Sequence, residues 1–149
     1  MRLAPAVAGG AGERRSGLVI AGLAAVGLLI AIYLLVVKLT GGTPICGPLV
    51  GCDTVNSSEY SVFLGIPVAF FGALGSIAML AGALAWWRTG SRRGLLAAYL
   101  VGLASLPVLV YLTYLEFFVI DAICIWCVAY AVTVAAAWLV TMRTLRLVH

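Results

Sequence analysis

The residues able to do chemistry are four cysteines set in two close pairs. Cys46 and Cys52 bracket GPLVG in the stretch PICGPLVGCD, and Cys124 and Cys127 form a C-x-x-C in AICIWCVAYAV. Paired thiols make, break and exchange disulfides, a thiolate attacking a disulfide sulfur through a mixed disulfide. On a helix, residues i and i+3 share a face about 5–6 Å apart, within disulfide reach. At a helix N-terminus, the first-turn N–H groups and the macrodipole favour the thiolate and so a reactive thiol. Gly47, Pro48 and Gly51 favour a turn that brings Cys46 and Cys52 together. A loop pair beside a helical pair is suited to passing a disulfide from one to the other.

The surrounding sequence is that of a membrane protein. Of 149 residues, 64% are hydrophobic and 9% charged, with a mean hydropathy of +1.19. A soluble domain is nearer half apolar and about a quarter charged. Four apolar runs stand out: Gly17 to Leu39, Val62 to Trp87, Gly94 to Leu115 and Ala122 to Met142. Each is near or above the roughly 20 residues that a helix needs to span the hydrocarbon core. None alternates with the period of two that barrel strands require. The expectation is an all-α integral membrane protein: a four-transmembrane-helix bundle with a loop and short helix between helices 1 and 2. Residues 1–16 read as a flexible cytoplasmic tail, 17–142 as the membrane domain and 143–149 as a second cytoplasmic tail. The first run is longer than a signal-peptide core, and no small-residue cleavage site follows it.

Charge orients this path. Arg2, Arg14 and Arg15 precede helix 1, Arg88, Arg92 and Arg93 join helices 2 and 3, and Arg143 and Arg146 follow helix 4. Asp53, Glu59, Glu116 and Asp121 fall at the opposite ends, and Lys38 reads as a snorkelling side chain at the outer end of helix 1. The positive-inside rule therefore predicts cytoplasmic termini and extracytoplasmic cysteines, where disulfides persist. The net charge of +4 is accounted for by this topology and implies no nucleic-acid partner.

Other uses of four cysteines fit less well. Two structural disulfides would hold the outer loops without catalysis. A Cys₄ zinc site normally sits on short knuckles in a polar module, whereas Ile123, Ile125 and Trp126 surround one pair here. A small transporter would need an ionisable residue in mid-helix, and the four runs show none.

The stretch CGPLVGCDTVNSSEYSVFLGIPVAFFG, followed about 50 residues later by LEFFVIDAICIWCVAYA, resembles the vitamin K epoxide reductase family, especially its bacterial members. The likeness runs from about Ile30 to Ala137. It implies that Cys124 and Cys127 are the active-site pair beside a quinone of menaquinone, ubiquinone or phylloquinone type. Cys127 would serve the quinone, as a thiolate stabilised by the helix terminus, and Cys124 would exchange with the loop. Cys46 would exchange with a thioredoxin-fold thiol protein outside the bacterial cytoplasmic membrane, and Cys52 would pass electrons to Cys124. Only RTLRLVH follows helix 4, so that partner is expected to be a separate chain. Ser58 matches a hydroxyl residue beside the quinone, and it serves equally well as a helix cap. Phe71 matches an aromatic residue of the quinone pocket.

Two positions depart from the animal enzymes of the family. Val68 stands where they carry an asparagine, and Ala131 where they carry a tyrosine; Tyr130 lies one position earlier, three residues after Cys127. The resemblance thus implies a thiol:quinone oxidoreductase that supports disulfide formation, with reduction of vitamin K epoxide by thiols as the second reading.

Overall fold

The computed structural model describes residues 11–42, 59, 62–121 and 124–148, the side chains of residues 11–14 excepted. Four helices carry the fold: α1 (Ala11–Thr40), α2 (Val68–Thr89), α3 (Arg92–Tyr114) and α4 (Ile125–Leu147). Each is long and apolar enough to cross a membrane. A bilayer offers no water to a bare peptide group, so the helix, which pairs its main-chain groups within the span, is the form that fits. The protein is a multi-pass membrane protein built as a helical bundle.

Packing runs round a ring, with α1 against α2 and α4, α2 against α3, and α3 against α4. Lipid is as apolar as leucine, so close approach and interlocking shape must hold the ring together. The α1 contact stripe is Gly17, Ile20, Ala21, Ala24, Gly27, Ala31 and Leu34, at the three- and four-residue spacing of one helix face. The tightest crossing is α2 on α3, where a Cβ at Gly82 would run into the Gly94 carbonyl. Glycine alone lets these backbones touch.

One short connection joins α2 to α3. Gly90, at φ +66°, closes α2 by donating its N–H to the Trp86 carbonyl, the left-handed ending that glycine adopts without a Cβ penalty. Ser91 then caps α3, its Oγ accepting from the Gly94 N–H at 3.3 Å. The arginine-bearing ends of all four helices therefore gather at one end of the bundle, and the C-x-x-C sits at the other.

The observed elements differ from the expected spans in four places, the first being α1, which begins at Ala11, six residues before Gly17 and inside the stretch expected to be a flexible tail. Helix 2 begins at Val68, six residues later than the apolar run. Before it, β1 (Val62–Phe63) and β2 (Ile66–Pro67) pair antiparallel, Val62 with Pro67 and Phe63 with Ile66. Leu64 and Gly65 make the turn at φ +54° and +80°, and the fixed φ of Pro67 suits it to a helix start. Helix 3 does not stop at Leu115; it continues through a π-helical turn, Leu115–Val119. Helix 4 starts at Ile125, leaving Cys124 as its cap, and runs on to Leu147. The short helix expected between helices 1 and 2 lies outside the described residues, Glu59 apart.

Candidate active site

Cys124 and Cys127 are held by the first turn of α4. Cys124 is the N-cap residue, with extended φ and ψ of −96° and 109°, and its Sγ accepts from the Cys127 N–H at 3.3 Å. A sulfur thus takes the place that a serine or aspartate oxygen usually fills. Cys124 is 0% exposed, whereas Cys127 is partly exposed, and both are free cysteines. Trp126, between them, packs on Tyr33 of α1 with ring centroids 5.0 Å apart. That contact anchors the start of α4 against the bundle.

The cap polarises the pair. The Cys124 thiol is held below its ordinary range, first by the Cys127 thiol hydrogen-bonded to it, then by the Cys127 and Trp126 N–H groups. Burial and the charge of Glu116 oppose this. The position at a helix N-terminus leads one to expect the stabilised thiolate at Cys127. The structure aims the first-turn N–H at Cys124 instead, because Cys127 lies inside the turn and Cys124 at its mouth.

Glu116 was not expected at this site. It lies in the π turn, closed by the Ile120 N–H donating to the Leu115 carbonyl at 2.7 Å. Such turns insert one extra residue and are frequent at functional sites. Here the turn buries Glu116, at 4% exposed, and leaves Phe117 and Phe118 outside. Asp121, at φ +56°, then redirects the chain. The Cys124 N–H comes back to donate to Glu116 Oε2 at 3.3 Å. The Cys127 thiol is within side-chain hydrogen-bonding range of the same carboxyl and of Cys124. One S–H proton therefore faces two acceptors.

Beside the pair is a cavity of about 380 Å³ walled by all four helices. Cys127 and Glu116 lie on its wall, with Lys38 from α1, Phe71 from α2 and Tyr130 from α4. The remaining wall is mostly aliphatic, and Val68 and Ala131, the two positions that depart from the animal enzymes, are part of it. Val101 and Glu116 are both lining residues on the α3 side, so the cavity runs about 22 Å at about 1.5 Å per helical residue. Phe71 and Val108 line it while remaining 42% and 52% exposed on the bundle surface. The cavity therefore reaches the lipid-facing side between α2 and α3.

The Tyr130 phenol spans the bundle diagonal, donating to the Gly72 carbonyl at 2.8 Å with Ser76 Oγ at 3.2 Å. Its proton is already engaged, so toward the cavity Tyr130 presents ring surface. Of the residues singled out from sequence, Cys124, Cys127, Phe71 and Tyr130 thus converge on one site. Cys46, Cys52 and Ser58 lie outside the described residues. By sequence Glu116 and Lys38 are end-of-helix charges, yet both face the cavity. The signal for Glu116 was a lone carboxylate amid apolar residues, eight positions before Cys124.

The cavity volume falls within the range of about 300–1,000 Å³ typical of small-molecule sites. Apolar walls, a lipid-side opening and a thiol at one end fit a lipid-soluble ring compound. A family model described as "Vitamin K epoxide reductase family" matches residues 18–142, most of the chain. The match takes in the C-x-x-C, Glu116 and the cavity-lining stretches of all four helices, so the chain belongs to the vitamin K epoxide reductase family, whose members are membrane oxidoreductases of disulfide and quinone chemistry.

Proposed function

We propose that the protein is a thiol:quinone oxidoreductase of the bacterial cytoplasmic membrane. It oxidises a thioredoxin-fold protein outside the cell and so supports disulfide formation. The observation that carries this reading is the position of Cys127 on the wall of an apolar, lipid-reaching cavity, with Cys124 buried behind it as the helix cap.

In the proposed sequence, the external dithiol reduces the Cys46–Cys52 disulfide through a mixed disulfide with Cys46. Cys52 then attacks Cys124 Sγ, breaking the Cys124–Cys127 bond and releasing Cys127. Cys46 resolves the Cys52–Cys124 bond and leaves Cys124 as the thiolate that the cap favours. A quinone, when bound, supplies the acceptor for two electrons and two protons. Cys127 delivers the electrons at the cavity wall, and Cys124 closes on Cys127 to restore the disulfide. Phe71 and Tyr130 contribute ring surface around the head group, and Ser58 is the proposed hydroxyl partner. The apolar side chains at Val68 and Ala131 favour a simple quinone over an epoxide substrate, which needs more polar contacts.

The test uses full-length protein, reduced, freed of reductant and mixed with a ubiquinone or menaquinone analogue. Free thiols are counted by maleimide mass shift. The expected result is rapid, quinone-dependent loss of all four thiols in the wild type, two per quinone as the loop pair hands its electrons on, and none in Cys127→Ser. Thiols indifferent to quinone would overturn the proposal and leave a scaffold with structural disulfides. Cys52→Ala should trap the external partner on Cys46. Impermeant maleimide applied to whole cells should label the reduced Cys46, fixing the orientation.

A further inference from the structure

The Cys127 thiol faces two acceptors, and one of them is a carboxyl that the cysteine exchange does not require. Glu116 is buried among apolar residues, yet it reaches the Cys124 N–H with one oxygen and the Cys127 thiol with its carboxyl. It also lines the cavity. A cap for one N–H would need only a neutral acceptor. Placing a buried ionisable group there costs more than an amide would, and the π turn carries it inward.

We propose that Glu116 is the proton carrier of the site: its carboxylate takes the Sγ proton of Cys127 as the Cys124–Cys127 bond forms, and returns it to a reduced quinone oxygen in the cavity. This rests on the thiol:quinone reading for its second half only. The balance is complete. Oxidation of the pair removes two electrons and makes one S–S bond. The Cys127 S–H bond breaks and its proton goes to Glu116, while Cys124 reacts as a thiolate, its own proton given up to water at the rim. A quinone, when bound, would supply the acceptor for both electrons and for two protons, of which Glu116 would deliver one and water at the rim the other. Cys124, the α4 cap, and Cys127 face the carboxyl, and the other titratable groups on the same cavity wall are Tyr130 of α4 and Lys38 of α1; α2 contributes none among the described residues.

The test compares wild type with Glu116→Gln and Glu116→Asp, all full length. Glutamine keeps an oxygen for the Cys124 N–H but cannot carry a proton; aspartate can. The first measurement involves no quinone: the pair is oxidised with diamide and followed by infrared difference spectroscopy. In wild type a protonated-carboxyl stretch should appear as the thiols are lost, and it should be missing in Glu116→Gln. The second measurement is single-turnover thiol loss to a quinone analogue across pH. Glu116→Gln should be at least about tenfold slower near neutrality and gain about tenfold per pH unit as hydroxide replaces the carboxylate. Glu116→Asp should recover part of the rate.

No carboxyl band in wild type, or the same pH profile in Glu116→Gln, would overturn the proton role. Quinone-independent thiols in wild type would overturn the quinone reading alone, since the infrared result stands without it. If Glu116→Gln does not fold, the wild-type band and the aspartate variant decide the question.

Discussion

The Tyr130 hydroxyl donates to the Gly72 carbonyl at 2.8 Å, joining α4 to α2 across the diagonal of the bundle. The phenol has one proton, and it is spent on this bond, which also fixes where the ring meets the cavity. Tyr130→Phe should therefore lower stability by about 0.6 kcal/mol, and at most about 1.7, as interhelical hydrogen bonds in membranes do. Quinone-dependent thiol oxidation should hold its KM. A tenfold rise in KM, equivalent to about 1.4 kcal/mol, would mean that the phenol turns to bond the head group directly.

The N-cap position of Cys124 carries a pH dependence. Its native pKa lies below the unfolded value of about 8.5, so the native state favours the thiolate. The reduced protein gains stability from this group above the unfolded pKa. That gain is lost as pH falls through the native value. Thiolate absorbance near 240 nm should persist below the range of an ordinary cysteine. In Cys127→Ala, which removes the largest stabilising partner, the titration should move back up. An unchanged titration in that variant would place the cause in the helix N–H groups instead.

The elements visible in the sequence were those written in long apolar runs and in paired cysteines. Four spans, the arginine-bearing ends and the C-x-x-C at a helix start all follow from composition and spacing. What escaped was local geometry that competes with hydropathy. Val62 to Pro67 is as apolar as a helix, but Gly65 and Pro67 turn it into a hairpin. The π turn has no composition of its own; ending helix 3 at Leu115 put Glu116 in a loop, whereas one inserted residue rotates it inward. Lys38 fits a snorkelling residue by type, and only the packing of α1 against α2 and α4 shows that it faces the cavity. Phe71 was placed by resemblance, because an aromatic near a helix end reads equally well as interface belt.

The crossing of α2 on α3 offers a test of the ring itself. A methyl at Gly82 meets the Gly94 carbonyl and, at 3.2 Å, the Ala98 Cβ. Those are backbone and a side chain without rotamers, so neither can swing away. Gly82→Ala should destabilise by about 1–3 kcal/mol, the usual cost of overpacking, seen as a lower thermal midpoint in detergent. The Cys124 titration should stay as in wild type, because the crossing lies at the arginine end. A midpoint unchanged from wild type would mean that α2 and α3 stand further apart than the structure has them.

The lipid-side mouth makes a prediction about ligand shape rather than chemistry. Val108 lines the cavity from α3 while half exposed, as Phe71 does from α2. A quinone whose head lies near Cys127 must lead its isoprenoid tail out between these two helices. Val108→Trp fills that gap with a ring too large to share it, while its exposed face still meets lipid, so folding should be spared. The KM for a long-tailed quinone should then rise at least about tenfold, and that for a tail-less analogue should change little, because uniform binding is lost only where the tail passes. Equal effects on both would put the obstruction at the head group and move the mouth elsewhere. No effect on either would mean that the tail leaves by another pair of helices.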